Sequence, residues 1–194
     1  LNMLTRQLIN VPVHLGLEHY PNIYCGVAVF VLLPLYIMCS KVNAREKIGK
    51  CVILLIFLTA FNLNIPNYIW HGMHFPNSLP CRQSFIYIFF LLAMCYEAVI
   101  NLKNSTNRQL GASLWIAIGL LLIMEELFIN SETEYSFKSV YISGIFILIY
   151  GLLMFIHNNA KFKIPVVLML TFSVSIIECT MNMDATGIGT TSRT

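Results

Sequence analysis

Between two strongly apolar stretches the chain reads Trp70-His71-Gly72-Met73-His74-Phe75-Pro76-Asn77-Ser78-Leu79-Pro80-Cys81-Arg82. A connector that only turns the chain is normally rich in Gly, Ser and Asp. This one gathers imidazole, indole, amide and guanidinium groups on a backbone stiffened by Pro66, Pro76 and Pro80, because each proline ring fixes one backbone dihedral. Arg82 offers a planar fork matched to phosphate, and it stands where the next helix should begin, so free helix N–H groups would attract the same anion. His71 and His74 can share a helical face or a tight turn and act as proton donors, acceptors or metal ligands. A third metal ligand is lacking, and no site with metal spacing emerges anywhere in the chain; a divalent metal requirement is left open. Asn77 fixes the loop shape or meets a hydroxylated ligand. Trp70, with Tyr68 and Phe75, either grips that ligand or sits in an interfacial aromatic belt.

Carboxylates inside apolar stretches are the second candidate set, since ionisable groups at membrane depth are costly and mark function by default. Glu125, Glu126 and Glu178 fall near the ends of their segments on the same side as Arg82. A carboxylate beside that guanidinium would be ionised and could hold it for a ligand. The plain alternative is a helix-end ion pair or a solvated acid. Glu97 lies near the opposite end of its segment, where reaching to the interface accounts for it.

The elements that must position these groups are membrane helices. Hydrophobic residues make up 57% of the chain and charged residues 11%, a balance outside the soluble range. Six segments, 22–40, 50–66, 84–102, 111–129, 139–156 and 165–181, can span or nearly span a bilayer, with the outer end of 50–66 made polar by Asn62, Asn64 and Pro66. The fold expected is all-α and polytopic, with about six transmembrane helices over 22–181 and an outer loop at 65–83. Loops 40–50, 102–110 and 157–164 hold eight of the twelve Lys and Arg residues. The positive-inside rule puts these loops in the cytoplasm and both chain ends outside. The net charge of +3 then reports topology, and no nucleic-acid partner is implied.

The rest of the chain is read more simply. Residues 1–21 suggest a short helix lying on the outer face, broken by Pro12. Pro21 should open the first span and Pro34 should kink it. Residues 182–194 turn small and polar, the start of an outer tail. The six cysteines lack metal or disulfide spacing; five behave as small hydrophobes and Cys81 lies in the polar loop. Gly144 and Gly151 are spaced for close helix packing. No cleavable signal peptide is visible, and a start without Met suggests a piece of a longer protein.

Taken together, Trp70-His71-Gly72, Phe75-Pro76-Asn77-Ser78-Leu79-Pro80, Arg82 and Ser84-Phe85 resemble the signature loop of the bacterial YfhO family. Pro21-Asn22-Ile23-Tyr24-Cys25-Gly26 ahead of a span, and Glu178, Asn182 and Thr191-Ser192-Arg193 at the end, are similar to it as well. The resemblance implies a piece of a large multi-pass protein of the bacterial plasma membrane with a GT-C-like core. It further implies sugar transfer from a polyprenyl-phosphate carrier to an envelope polymer such as lipoteichoic acid. Trp70, His71, His74, Asn77, Arg82, Glu125, Glu126 and Glu178 would then line the substrate site, with membrane lipid, the lipid-linked sugar and the polymer as partners. Cys81 and Gln83 depart from the pattern, standing where aromatic residues are common. The acidic catalytic residue of such enzymes belongs to a first outer loop upstream, so no residue here is assigned that role. Two rival classes are a transporter or flippase, which predicts broken helices and ionisable groups near the bilayer midplane, and a non-catalytic scaffold.

Overall fold

The computed structural model describes residues 4–11, 21–70, 72–74, 81–129, 137–159 and 164–185. The described residues form helices α1 (Val29–Met38), α2 (Ala44–Asn62), α3 (Asn64–Trp70), α4 (Ser84–Ile100), α5 (Asn107–Ile129), α6 (Phe137–Asn158) and α7 (Ile164–Ala185), with no strand among them. Each of the six apolar segments contains a helix, so the chain is all-α. By length and composition three helices can cross a membrane: α5 over Asn107–Glu126, α6, and α7 over Pro165–Met183. α1 and α4 are apolar but shorter, and α2 carries Arg45, Glu46, Lys47 and Lys50 in its first two turns. The six spans expected from hydropathy are thus six helices, three of them of full spanning length.

Helix ends follow local chemistry. α5 begins at Asn107, ahead of the expected 111, because Thr106 and Gln109 form a capping box. The Thr106 N–H donates to Gln109 Oε1 (2.8 Å) and the Gln109 N–H to Thr106 Oγ1 (3.2 Å), satisfying two backbone donors that a helix start leaves open. α2 begins after Asn43, whose side chain accepts from the Arg45 N–H at 3.1 Å. It stops at Asn62, and Pro66 sits in the first turn of α3, where a missing N–H costs nothing.

α1 is the centre of the assembly. Seven of its ten residues are buried, Pro34 and Tyr36 included, as a helix apolar on every side requires. It packs against α4 and α5, α5 packs against α6, and α7 rests on α6. The α5–α6 contact is close because of two glycines. A Cβ on Gly151 would come within 2.8 Å of Leu114 Cδ1, and one on Gly144 within 3.1 Å of Leu121 Cδ2, so the expected packing role of this pair is met.

The basic end of the bundle is stitched by side chains. Lys47 Nζ donates to the Ile37 carbonyl (2.8 Å) and to the Cys39 carbonyl, and Gln109 Nε2 donates to the Met38 carbonyl (2.9 Å). These close the C-terminus of α1, whose last carbonyls have no partner within the helix. Lys50 pairs with Glu46 at 2.6 Å and with Glu97, so Glu97 is held by an ion pair rather than simply reaching for the interface.

Two expectations are corrected. The sequence predicts a first span over 22–40, yet α1 starts only at Val29, and 21–28 is not helical. Gly26, at φ +99°, breaks the helix path in a conformation that side-chain-bearing residues rarely adopt. Residues 4–11, expected on the outer surface, are packed inside. Thr5, Arg6, Gln7, Leu8, Ile9 and Val11 are all buried, and residues 12–20 lie outside the described residues.

Candidate functional site

Non-helical backbone at membrane depth is tolerated only where protein or trapped water satisfies its N–H and C=O groups. Residues 21–28 create that demand, and two side chains answer it. Glu178 of α7, only 4% exposed, accepts on Oε1 from the Val27 N–H at 2.7 Å and from the Tyr24 hydroxyl at 2.6 Å. Its Oε2 accepts from the Tyr150 hydroxyl of α6 at 2.6 Å. Gln7 answers from the other side. With its amide oriented to satisfy both atoms, it donates to the Ile23 carbonyl at 2.6 Å and accepts from the Cys25 N–H at 3.2 Å, a pairing of the kind one strand makes with another.

The segment holding Gln7 is itself tied down. Arg6 Nη2 donates to Asn22 Oδ1 at 2.6 Å, the Ile9 N–H to Ser143 Oγ at 3.1 Å, and the Asn10 N–H to Asn182 Oδ1 at 3.0 Å. Ser139 Oγ donates to the Asn10 carbonyl at 3.2 Å. Residues 4–11, 21–28, α6 and α7 therefore meet in one polar junction inside an apolar bundle.

The sequence candidates separate in space. Glu178 is the buried anion of this junction. Its partners are hydroxyls and a backbone N–H, where the sequence suggests the guanidinium of Arg82. Glu125 is half-buried and accepts from the Tyr141 hydroxyl at 3.4 Å; Glu126 and Arg82 are exposed. Arg82 stands just before α4, with its neighbours packed inward. Gln83 is buried and places Nε2 3.4 Å from Asn67 Oδ1, tying α4 to α3. Cys81, expected in the polar loop, is buried at φ +63°, and burial pushes its thiol up to about 11. Trp70 stacks on Phe57 at 4.7 Å between ring centroids while keeping 43% of its surface exposed. His74 is exposed; His71 and Asn77 lie outside the described residues. Among the described residues no group of His, Cys, Asp and Glu is placed to hold a metal.

Sequence reasoning missed Arg6, Gln7, Tyr24 and Tyr150. Tyr150 reads as an ordinary aromatic residue in apolar company, Tyr24 enters only within the Pro21–Gly26 run, and nothing local marks Gln7. The available signal was Gly26 following Pro21: two helix-disfavouring residues in an apolar stretch announce backbone that needs side-chain partners.

An apolar cleft of about 320 Å³ runs beside this junction, between the turn at Leu4–Gln7, α1, α4 and α5. Its lining extends from Leu4 and Gln7 along Phe30 and Pro34 to Met38, with Gln7 and Tyr87 its polar side chains. Such a cleft fits a chain of hydrocarbon with a polar group at one end.

Helices of spanning length, a buried ionisable junction and apolar clefts define a multi-pass membrane protein of the all-α class. More narrowly, the chain belongs to the family described as bacterial membrane protein YfhO, which matches residues 3–194. No curated protein and no solved structure matches it.

Proposed function

We propose that this chain is part of a membrane glycosyltransferase. It moves a sugar from a polyprenyl-phosphate carrier to an envelope acceptor such as lipoteichoic acid, at the outer face of the plasma membrane. The observation that carries the reading is the elongated cleft along α1, whose apolar wall suits a polyprenyl tail and whose Gln7 end adjoins the polar junction. Family membership agrees with it.

In this reading an acceptor hydroxyl gives its proton to a carboxylate upstream of the chain and attacks the anomeric carbon, and the lipid phosphate leaves. The exposed Arg82 and the N-terminal N–H groups of α4 stabilise the charge that builds on that phosphate. His71, His74, Asn77 and Trp70 shape the surrounding loop, and residues 1–194 alone do not turn over substrate without the upstream acid. The three basic loops face the cytoplasm.

The test is transfer from a labelled polyprenyl-phosphate sugar by the full-length protein in membranes, comparing wild type with Arg82→Ala. Collapse of transfer at equal expression supports both the enzyme and the phosphate role. Unchanged turnover and donor affinity would remove Arg82 from the site. A second reading, a flippase for lipid-linked substrate, is favoured by Glu178 buried beside non-helical backbone, a combination that transporters use. Labelled lipid that crosses the bilayer with no sugar transferred from any donor would select it.

A further inference from the structure

On the far side of α1 from the first cleft lies a second one of about 290 Å³, walled by Ala28, Leu32, Leu153 and Val167, with Tyr150 and Ser175 at its polar end. The two hydroxyls there are short of protons. Tyr150 donates to the Glu178 carboxylate at 2.6 Å. Ser175 Oγ lies 3.0 Å from the Thr171 carbonyl and 3.1 Å from the Tyr150 hydroxyl oxygen. Two hydroxyl protons thus serve three contacts, since each hydroxyl carries one donor and two acceptor lone pairs. Thr171, also lining the cleft, spends its own proton on the Val167 carbonyl at 2.8 Å. The Tyr150–Ser175 end therefore offers acceptors and lacks a donor, and the wall beyond it is hydrocarbon as far as His157, about two turns further along α6.

We propose that this cleft binds an apolar molecule ending in a hydroxyl, a long-chain or isoprenoid alcohol. The ligand hydroxyl donates to Ser175 Oγ, and its chain lies along Leu153 and Val167. A neutral donor fits better than an ammonium group, which would lose its hydration shell on entering an apolar wall. The site is separate from the cleft assigned to the carrier tail and does not depend on the glycosyltransferase reading: Ile23, Val29 and Phe30 face one cleft, Ala28 and Leu32 the other.

The probe is a straight-chain alcohol bearing a diazirine, compared with its methyl ether, on the full-length protein in lipid nanodiscs. Labelled residues are mapped by mass spectrometry. The alcohol should label α6 and α7 lining residues about fivefold more than the ether, the factor one net hydrogen bond supplies. Ser175→Ala, which leaves the Glu178 contacts in place, should bring the alcohol down to the ether. Leu153→Trp should abolish labelling by filling the cleft; if that variant does not assemble, Val167→Phe fills the same space. Equal labelling by alcohol and ether would mean that water supplies the missing donor, and would overturn the proposal. Labelling untouched by the filling variants would assign it to the lipid-facing surface and overturn the proposal as well.

Discussion

The Tyr150 hydroxyl meets the Glu178 carboxylate at 2.6 Å across the contact between α6 and α7, and the other oxygen of that carboxylate holds Tyr24 and the Val27 N–H. One side chain therefore joins the backbone that leads into the central helix to the last two helices of the chain. Apolar attraction does little to hold membrane helices together, because lipid tails are as apolar as the helix faces. Much of the α7 surface is exposed, so a buried polar clasp carries a large share of its attachment.

Glu178→Ala should destabilise the fold by about 3 kcal/mol, because buried donors left without an acceptor each cost roughly 1–3 kcal/mol and two of the three are hydroxyls that can turn elsewhere. Glu178→Gln keeps one acceptor oxygen and should lose about 1 kcal/mol. Cys179→Ala, at the exposed neighbouring position, should change stability by less than about 0.5 kcal/mol. Thermal unfolding of the detergent-solubilised protein, followed by size exclusion, ranks the three; an alanine variant as stable as wild type would remove the clasp.

Gly151 carries the close approach of α5 and α6. Gly151→Val should cost about 1–3 kcal/mol by overpacking against Leu114. Leu114→Ala, added to it, should recover a good part of the loss, because the atoms nearest an added Cβ belong to that side chain. Stabilities of the two single variants and the double one complete the cycle. Additive losses would show that the two residues do not touch.

These contacts mark what the sequence could and could not reveal. Gly144 and Gly151 were legible because helical spacing alone puts both on one face. The six helices were legible from hydropathy, but their lengths were not: the capping box at Thr106 and Gln109 lengthens α5, and the break at Gly26 shortens α1. The clasp was hidden by distance. Glu178 and Tyr24 are 154 residues apart, and nothing local to either predicts the other. Glu178 was singled out for its charge, and its expected partner, Arg82, was the cation nearest in topology rather than the groups nearest in space.

Cys81 supplies a pH-dependent test of the loop. Its buried thiol is pushed up to about 11, so it stays protonated through neutral pH, and only the thiolate attacks a maleimide. In a variant with Cys81 as its single cysteine, native labelling at neutral pH should be slow. The rate should keep climbing as pH rises toward that value, past the point where an ordinary thiol, ionising near about 8.5, levels off. A rate at neutral pH equal to that of the unfolded protein would place Cys81 in solvent.

Lys47 and Lys41 fall in one basic stretch, 40–50, and the positive-inside argument treats them alike. Their surroundings do not. Lys47 donates to two carbonyls at the end of α1, while Lys41 is exposed. A lysine at a helix C-terminus both bonds the open carbonyls and opposes the helix dipole, worth roughly 0.3–1 kcal/mol at an exposed site and up to about 2 kcal/mol when partly buried. Lys47→Met should therefore lose about 1 kcal/mol, and Lys41→Met should fall within about 0.5 kcal/mol of wild type. Both variants remove one positive charge from the same basic stretch, so an accessibility assay of membrane orientation should respond to them equally. Equal stability losses would mean that Lys47 acts only through its charge, and that α1 ends without its help.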